Sequence, residues 1–299
     1  MQNSDVKMSG ISYMMPTPFR GEGDIDFDSI DRLIEFCIAK GADGFTVLGV
    51  AGEAAKLSHD ERMSVLRHAM GTNAKRLQVV VGVSGADVEE IIELSNSARE
   101  LGAEGVMIAP HKEWLGSFDI PEKLIEVCSK IEGLQITLQD YPDATGVNMT
   151  TGDIVRVVDN VDSISSIKLE SLPSPARMEE VIEALPRQCS MVGGLGGLYF
   201  FYELQAGAVG AMTGFAFPEI LKAIQEAYSD GRHEDARKIY NEALPLLVFE
   251  GQPKVGLAIR KETLVRRGII ESAQLRSPSA PLATSTTRGL HELLSSFGY

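Results

Sequence analysis

The sequence predicts an α/β protein built as a (β/α)8 TIM barrel with a C-terminal helical extension. Three observations carry that expectation. Short β-branched or apolar runs alternate with longer segments of helical period, the pattern of a parallel sheet flanked by helices. Eight such runs can be counted. No fingerprint glycine loop follows the first of them, which favours a closed barrel over an open, doubly wound sheet.

The expected strands are residues 11–17, 44–48, 77–83, 105–109, 134–140, 163–170, 190–194 and 207–213. Helices fit the gaps. Residues 28–39 carry Ile30, Leu33, Ile34 and Ile38 at helical spacing, and Ser58 with Glu61 three positions later reads as a capping box opening the next helix. Residues 88–101 and 121–131 continue the alternation, with Gly102 and Gly133 placed to stop them. From Pro218 onward the pattern is helical, over 218–229, 233–249, 253–267 and 284–296. The expected division is a barrel over residues 1–217 and an extension over 218–299, the latter including the last barrel helix. At 299 residues and 44% hydrophobic content, one domain can bury such a core without disulfides or metals.

A formal net charge of −14 repels phosphate backbones and anionic lipid, so neither nucleic acid nor a membrane surface is an expected partner. An anionic substrate would need a locally positive pocket to overcome that field. Cys37, Cys128 and Cys189 show no CxxC spacing and read as structural thiols. The five histidines form no H-x-H or H-E-x-x-H pair, so no metal is expected. Trp114 and Tyr199-Phe-Phe-Tyr202 read as core or subunit contacts. The opening stretch lacks the apolar core of a signal peptide, and no window approaches a membrane span, which makes the expected location cytoplasmic.

The most informative stretch is Ser163-Ile-Ser-Ser-Ile-Lys-Leu-Glu170. Strand period two puts Ser166, Lys168 and Glu170 on one face and Ile167 and Leu169 on the other. In a barrel the polar set faces inward, with Glu170 at the carboxyl end where barrel active sites lie. Desolvation favours a neutral amine, the form that attacks a ketone. The structural alternative is a surface edge strand with a solvated Lys/Glu pair. A second stretch, Gly44-Phe-Thr-Val-Leu-Gly-Val-Ala-Gly-Glu53, ends a strand with Gly49 and Gly52, and its backbone N–H groups suit a carboxylate, although tight turns need glycine on steric grounds alone.

Gly49-x-x-Gly52-Glu53, Pro142 followed by Thr145-Gly146, and Ile167-Lys168 stand in the order and spacing of the dihydrodipicolinate synthase and N-acetylneuraminate lyase family, which the chain resembles. Pro16-Thr-Pro-Phe19, Gly207-Ala-Val-Gly210 and Leu275-Arg-Ser-Pro278 extend the resemblance over nearly the whole chain. It implies a homotetramer, no metal or organic cofactor, and a strand-six lysine that forms an imine with a 2-keto acid. The departures matter equally. Val50 and Ala51 replace the two threonines usual at the carboxylate loop, leaving only main-chain donors. Gln139 replaces a proton-shuttling tyrosine, Ala144 stands where synthases carry a carboxylate-binding arginine, and Pro110-His-Lys-Glu113 lacks a further tyrosine. Tyr141, of the same parity as Gln139, either restores a phenol by a shifted geometry or serves packing or substrate contact.

Glu170 is then the best-placed proton carrier. Loss of the tyrosine harms retro-aldol cleavage more than dehydration, which needs a base near C3 and an acid for the C4 hydroxyl. The site therefore resembles the L-2-keto-3-deoxyarabonate dehydratase branch, with Lys168 and Glu170 catalytic and Gly49, Val50, Ala51, Gln139, Tyr141, Gly194 and Thr213 as pocket candidates. Gly194, in Gly193-Gly-Leu-Gly-Gly197, serves either a phosphate or close backbone approach. Thr213 offers a hydroxyl to the substrate or is an ordinary strand threonine. Rival readings are a pyruvate-dependent aldolase or synthase and, in another class, a non-catalytic barrel that binds a keto acid.

Overall fold

The computed structural model describes residues 9–279 and 281–299. Eight parallel strands form one ring: β1 (Gly10–Met14), β2 (Gly44–Val47), β3 (Gln78–Gly82), β4 (Gly105–Ile108), β5 (Gln135–Asp140), β6 (Ile164–Leu169), β7 (Ser190–Gly193) and β8 (Gly210–Thr213). β1 pairs with both β8 and β2, which closes the sheet on itself and leaves no edge. Each expected strand is present, trimmed by a few residues at one or both ends, with β1 starting one residue earlier than expected. Residues 1–8, and with them most of the opening stretch read above, lie outside the described residues.

The connecting helices are α1 (Phe27–Ala39), α2 (His59–Asn73), α3 (Val88–Glu100), α4 (Ile120–Cys128), α5 (Thr151–Asn160), α6 (Ser174–Ala184), α7 (Phe200–Gln205) and α8 (Pro218–Ser229). The starts of α1 to α5 are set by side-chain caps at Asp26, Asp87 and Asp119 and by full capping boxes at Ser58/Glu61 and Thr150/Asp153. A two-strand hairpin, Phe19–Arg20 against Asp24–Ile25, follows β1 and was not expected, since two residues per strand carry no periodicity.

Strand alternation divides the core in two. Outward residues such as Ile11, Phe45, Val106, Leu138 and Ile167 meet the helices in one large cluster. Inward, Met14, Val80, Met107, Val192 and Met212 plug the barrel axis, and hydroxyl pairs Ser12–Thr46 and Thr137–Ser166 bridge neighbouring strands. Phe201 stacks on Tyr240 and Trp114 is buried with its Nε1 donating to Ala86 O, so Trp114, Phe200 and Phe201 serve the core, while Tyr202 is exposed.

Three more helices follow the ring: α9 (His233–Glu250), α10 (Gly256–Arg266) and α11 (Thr284–Ser296). α9 packs along α8, and α10 and α11 pack on α9. Lys261 of α10 is wholly buried and donates at 2.8 Å to Thr17 O, Glu53 Oε1 and Gln274 O, which ties the extension to the loop after β2. Among the described residues no helix is long and apolar enough to cross a membrane.

Candidate active site

The site begins with an irregularity in β6. Ile136 pairs with Ile164, but Thr137 pairs with Ser166, so Ser165 is an extra residue and the strand turns about it. Beyond that bulge Ile167 and Leu169 join the outer core, and the opposite parity carries Ser166 and Lys168 inward. Lys168 is 3% exposed and its Nζ lies 3.0 Å from Glu170 Oε2. The buried Lys/Glu pair excludes the solvated edge-strand alternative.

Glu170 is fixed from three sides. Its N–H donates to Asp140 O at 2.8 Å, Gln139 Nε2 donates to Oε2 at 2.7 Å, and Leu195 N donates to Oε1 at 3.1 Å. A Cβ on Gly194 would overlap Oε1, Cδ and Cγ of Glu170. Gly194 is thus glycine because the carboxylate occupies that space, and a phosphate here would face a carboxylate. Gly193, one residue earlier and of opposite parity, makes the same room for Glu203 on the helix side. Glu203 is buried, accepts from Ser174 Oγ at 2.7 Å through Oε1, and has no partner on Oε2 among the described residues; burial pushes its carboxyl up to about 7.

Gln139 sits across from Lys168 in the β5–β6 register, and Tyr141 follows at the end of β5, half-buried. Burial, then the nearby Glu170, raises the Tyr141 phenol, so it is uncharged at neutral pH. Asp140, between them, turns away from the axis and accepts from Ser171 Oγ at 2.6 Å; burial raises its carboxyl. Across the ring, Gly49–Gly52 form a 3-10 turn in which Gly52 and Glu53 donate to Gly49 and Val50 carbonyls. The first amides of such a turn have no partner within it. Val50 is 57% exposed and carries no hydroxyl, so only its main chain can donate to a ligand, whereas Ala51 packs on the inner methionine cluster. Gly49 lies directly on the Met14 methyl.

At the end of β8, Met212 plugs the axis, Thr213 is buried, and Gly214 borders Ala51. Sequence reasoning missed Arg260 and Glu250, which the extension returns to the barrel mouth. Arg260 Nη2 lies 2.7 Å from where a Cβ of Gly196 would stand, and its Nε lies 3.6 Å from Glu250 Oε2. Glu250 is fully buried, accepts from Ala216 N at 3.1 Å, and burial pushes it up to about 7. Among the described residues no group of three or more His, Cys, Asp and Glu gathers at metal-ligating distance.

A closed (β/α)8 barrel with a buried lysine and carboxylate touching at its carboxyl mouth defines the class of barrel lyases. The sequence profile of the dihydrodipicolinate synthetase family matches residues 7–297, and the chain belongs to that family. Among curated proteins it is 29% identical to L-2-keto-3-deoxyarabonate dehydratase of Azospirillum brasilense, over 95% of this chain and 93% of that one. Among solved structures it superposes with a TM-score of 0.91 on dihydrodipicolinate synthase from Rhodopseudomonas palustris, 34% identical over 96% and 97% of the two chains. A prophage protein of the same family from E. coli K12, solved in complex with pyruvate, is 25% identical over 97% and 98%, with a TM-score of 0.89.

Proposed function

We propose that the chain dehydrates a 2-keto-3-deoxy sugar acid, L-2-keto-3-deoxyarabonate or a close analogue, through an imine on Lys168. The observation that carries this reading is the buried cluster of Lys168, Glu170 and Gln139. The Lys168 amine adds to the C2 carbonyl, whose oxygen leaves as water. Glu170 is adjacent to the imine nitrogen, within reach of C3, and takes a C3 proton to give the enamine. The same carboxyl, now protonated, returns that proton to the C4 hydroxyl as it leaves as water. Loss of a C5 proton gives an enol, which becomes the aldehyde, and hydrolysis frees 2,5-dioxopentanoate and Lys168. One molecule of water is lost overall.

Gln139 holds the carboxylate but cannot exchange protons, which speaks against aldol cleavage through a residue at that position. The Azospirillum dehydratase supports the same choice, and the pyruvate complex of the E. coli relative supports a keto acid as ligand. The reading calls for a small-molecule substrate, no metal or organic cofactor, and a cytoplasmic homotetramer.

The test is borohydride reduction of the protein with 2-keto-3-deoxypentonate and, separately, with pyruvate, followed by peptide mass spectrometry, with products of an unreduced control identified. An adduct on Lys168 and 2,5-dioxopentanoate in the control are expected. Pyruvate as product would select the aldolase, and binding without turnover the non-catalytic barrel. Glu170→Gln should keep the adduct and lose on the order of 10²- to 10⁴-fold in kcat.

A further inference from the structure

Arg260 is anomalous among the arginines. Arg62, Arg99, Arg177, Arg187, Arg267 and Arg276 are the other half-buried ones among the described residues, and each donates hydrogen bonds to carboxylates or carbonyls. Among the described residues Arg260 donates none: its Nε is buried without a hydrogen-bond partner, and its one ion pair there, to Glu250, is 3.6 Å long. A guanidinium presents five donors in a planar fork suited to a carboxylate.

Its surroundings say where that carboxylate would lie. A Cβ placed on Gly214, the residue after β8, would stand 3.7 Å from Arg260 Nη1 and 3.7 Å from Ala51 Cβ. The fork thus borders the loop Gly49–Gly52, where Val50 and Ala51 supply no hydroxyl. Gly196, in its left-handed conformation, leaves the space that Nη2 fills. Tyr141, at the end of β5, feels both Glu170 and Arg260, which sets the arginine at the same mouth as the lysine pair. The Lys168 charge is already paired with Glu170, so an anion entering a chain of net charge −14 needs another cation.

Resting on the keto-acid reading above, we propose that Arg260, delivered by the C-terminal extension, binds the C1 carboxylate of the substrate and replaces the missing hydroxyls of the carboxylate loop. Glu250 beneath it is a positioning residue.

The apparent Kd values of pyruvate, which has a C1 carboxylate and no distal end, and of 2-keto-3-deoxypentonate are measured by ligand-dependent thermal shift on the wild type, R260Q, R260K, K168A and the double variant R260Q/K168A, with methyl pyruvate as the uncharged probe and borohydride trapping of the Lys168 adduct alongside. R260Q should weaken pyruvate at least tenfold in both the wild-type and K168A backgrounds, R260K should weaken it less, and methyl pyruvate should bind all Arg260 variants alike. If R260Q does not fold, R260K against the two probes decides. Equal pyruvate binding by wild type and R260Q overturns the assignment and leaves the imine intact. Loss confined to 2-keto-3-deoxypentonate would move Arg260 to the distal end and equally overturn it. An absent Lys168 adduct with pyruvate binding still lost in R260Q would overturn the imine and keep Arg260. Equal weakening of both probes would make Arg260 a structural residue and overturn its carboxylate role.

Discussion

Two adjacent glycines at the end of β7 let two glutamates approach the same strand from opposite sides, Glu170 from the barrel axis and Glu203 from the helix layer. The first is held by two donated hydrogen bonds and the ammonium of Lys168, and the second has only Ser174. Burial without a countercharge lifts Glu203 to about 7 from an ordinary 4.5. Below the unfolded-state value both states carry the proton and its stabilising contribution is fully present. As pH rises towards 7 the native carboxyl keeps a proton the unfolded chain has lost, so stability falls across that window, by about 3 kcal/mol. Glu203→Gln should remove this loss. Urea unfolding at pH 8 should find the variant more stable than wild type, with the advantage gone near pH 4.5, and an advantage of equal size at both pH values would refute the assignment. Glu250, raised for the same reason, keeps part of the slope in both proteins.

At the scale of elements, α10 matters more than its place after the barrel suggests. Lys261 meets Glu53 at 2.8 Å with no exposure, and Glu53 also takes Lys56 Nζ and Arg276 N, so one left-handed residue after β2 binds three segments. Burial lowers the Lys261 ammonium, and Glu53 opposes that. Removing one partner of such a pair strands the other, which typically costs about 3–5 kcal/mol. Lys261→Met should show a loss of that order in urea unfolding, and Lys130→Met, exposed just beyond the end of α4, should leave the midpoint unchanged. The helices and strands themselves were legible because their signals are local: helical spacing in α1, a capping box at Ser58, β-branched runs in β3 and β6. The bulge at Ser165 was not, since Ser165 and Ser166 are both serines and either could face inward.

Over the whole molecule, the lysine pair could be read from one strand, but the rest of the mouth could not. Arg260 and Glu250 reach it only because α9 and α10 fold back over the ring, and no local pattern in residues 250–260 reports that return. The balance of charge follows from the same geometry. Forty-two acidic against twenty-eight basic side chains surround a site whose expected substrate is an anion, and the positive groups at its mouth are few. Long-range repulsion then slows encounter, and it acts mainly between charges in water, where salt screens it. The Debye length contracts from about 30 Å at 0.01 M to about 10 Å at 0.1 M, which suppresses the distant acidic shell while leaving contacts within the buried mouth nearly untouched. Raising ionic strength over that range should therefore increase kcat/KM for the keto acid several-fold with kcat unchanged, and leave borohydride trapping of the uncharged methyl pyruvate flat. A fall in kcat/KM would mean that the local field of Arg260 and its neighbours, rather than the acidic surface, governs how an anion reaches Lys168.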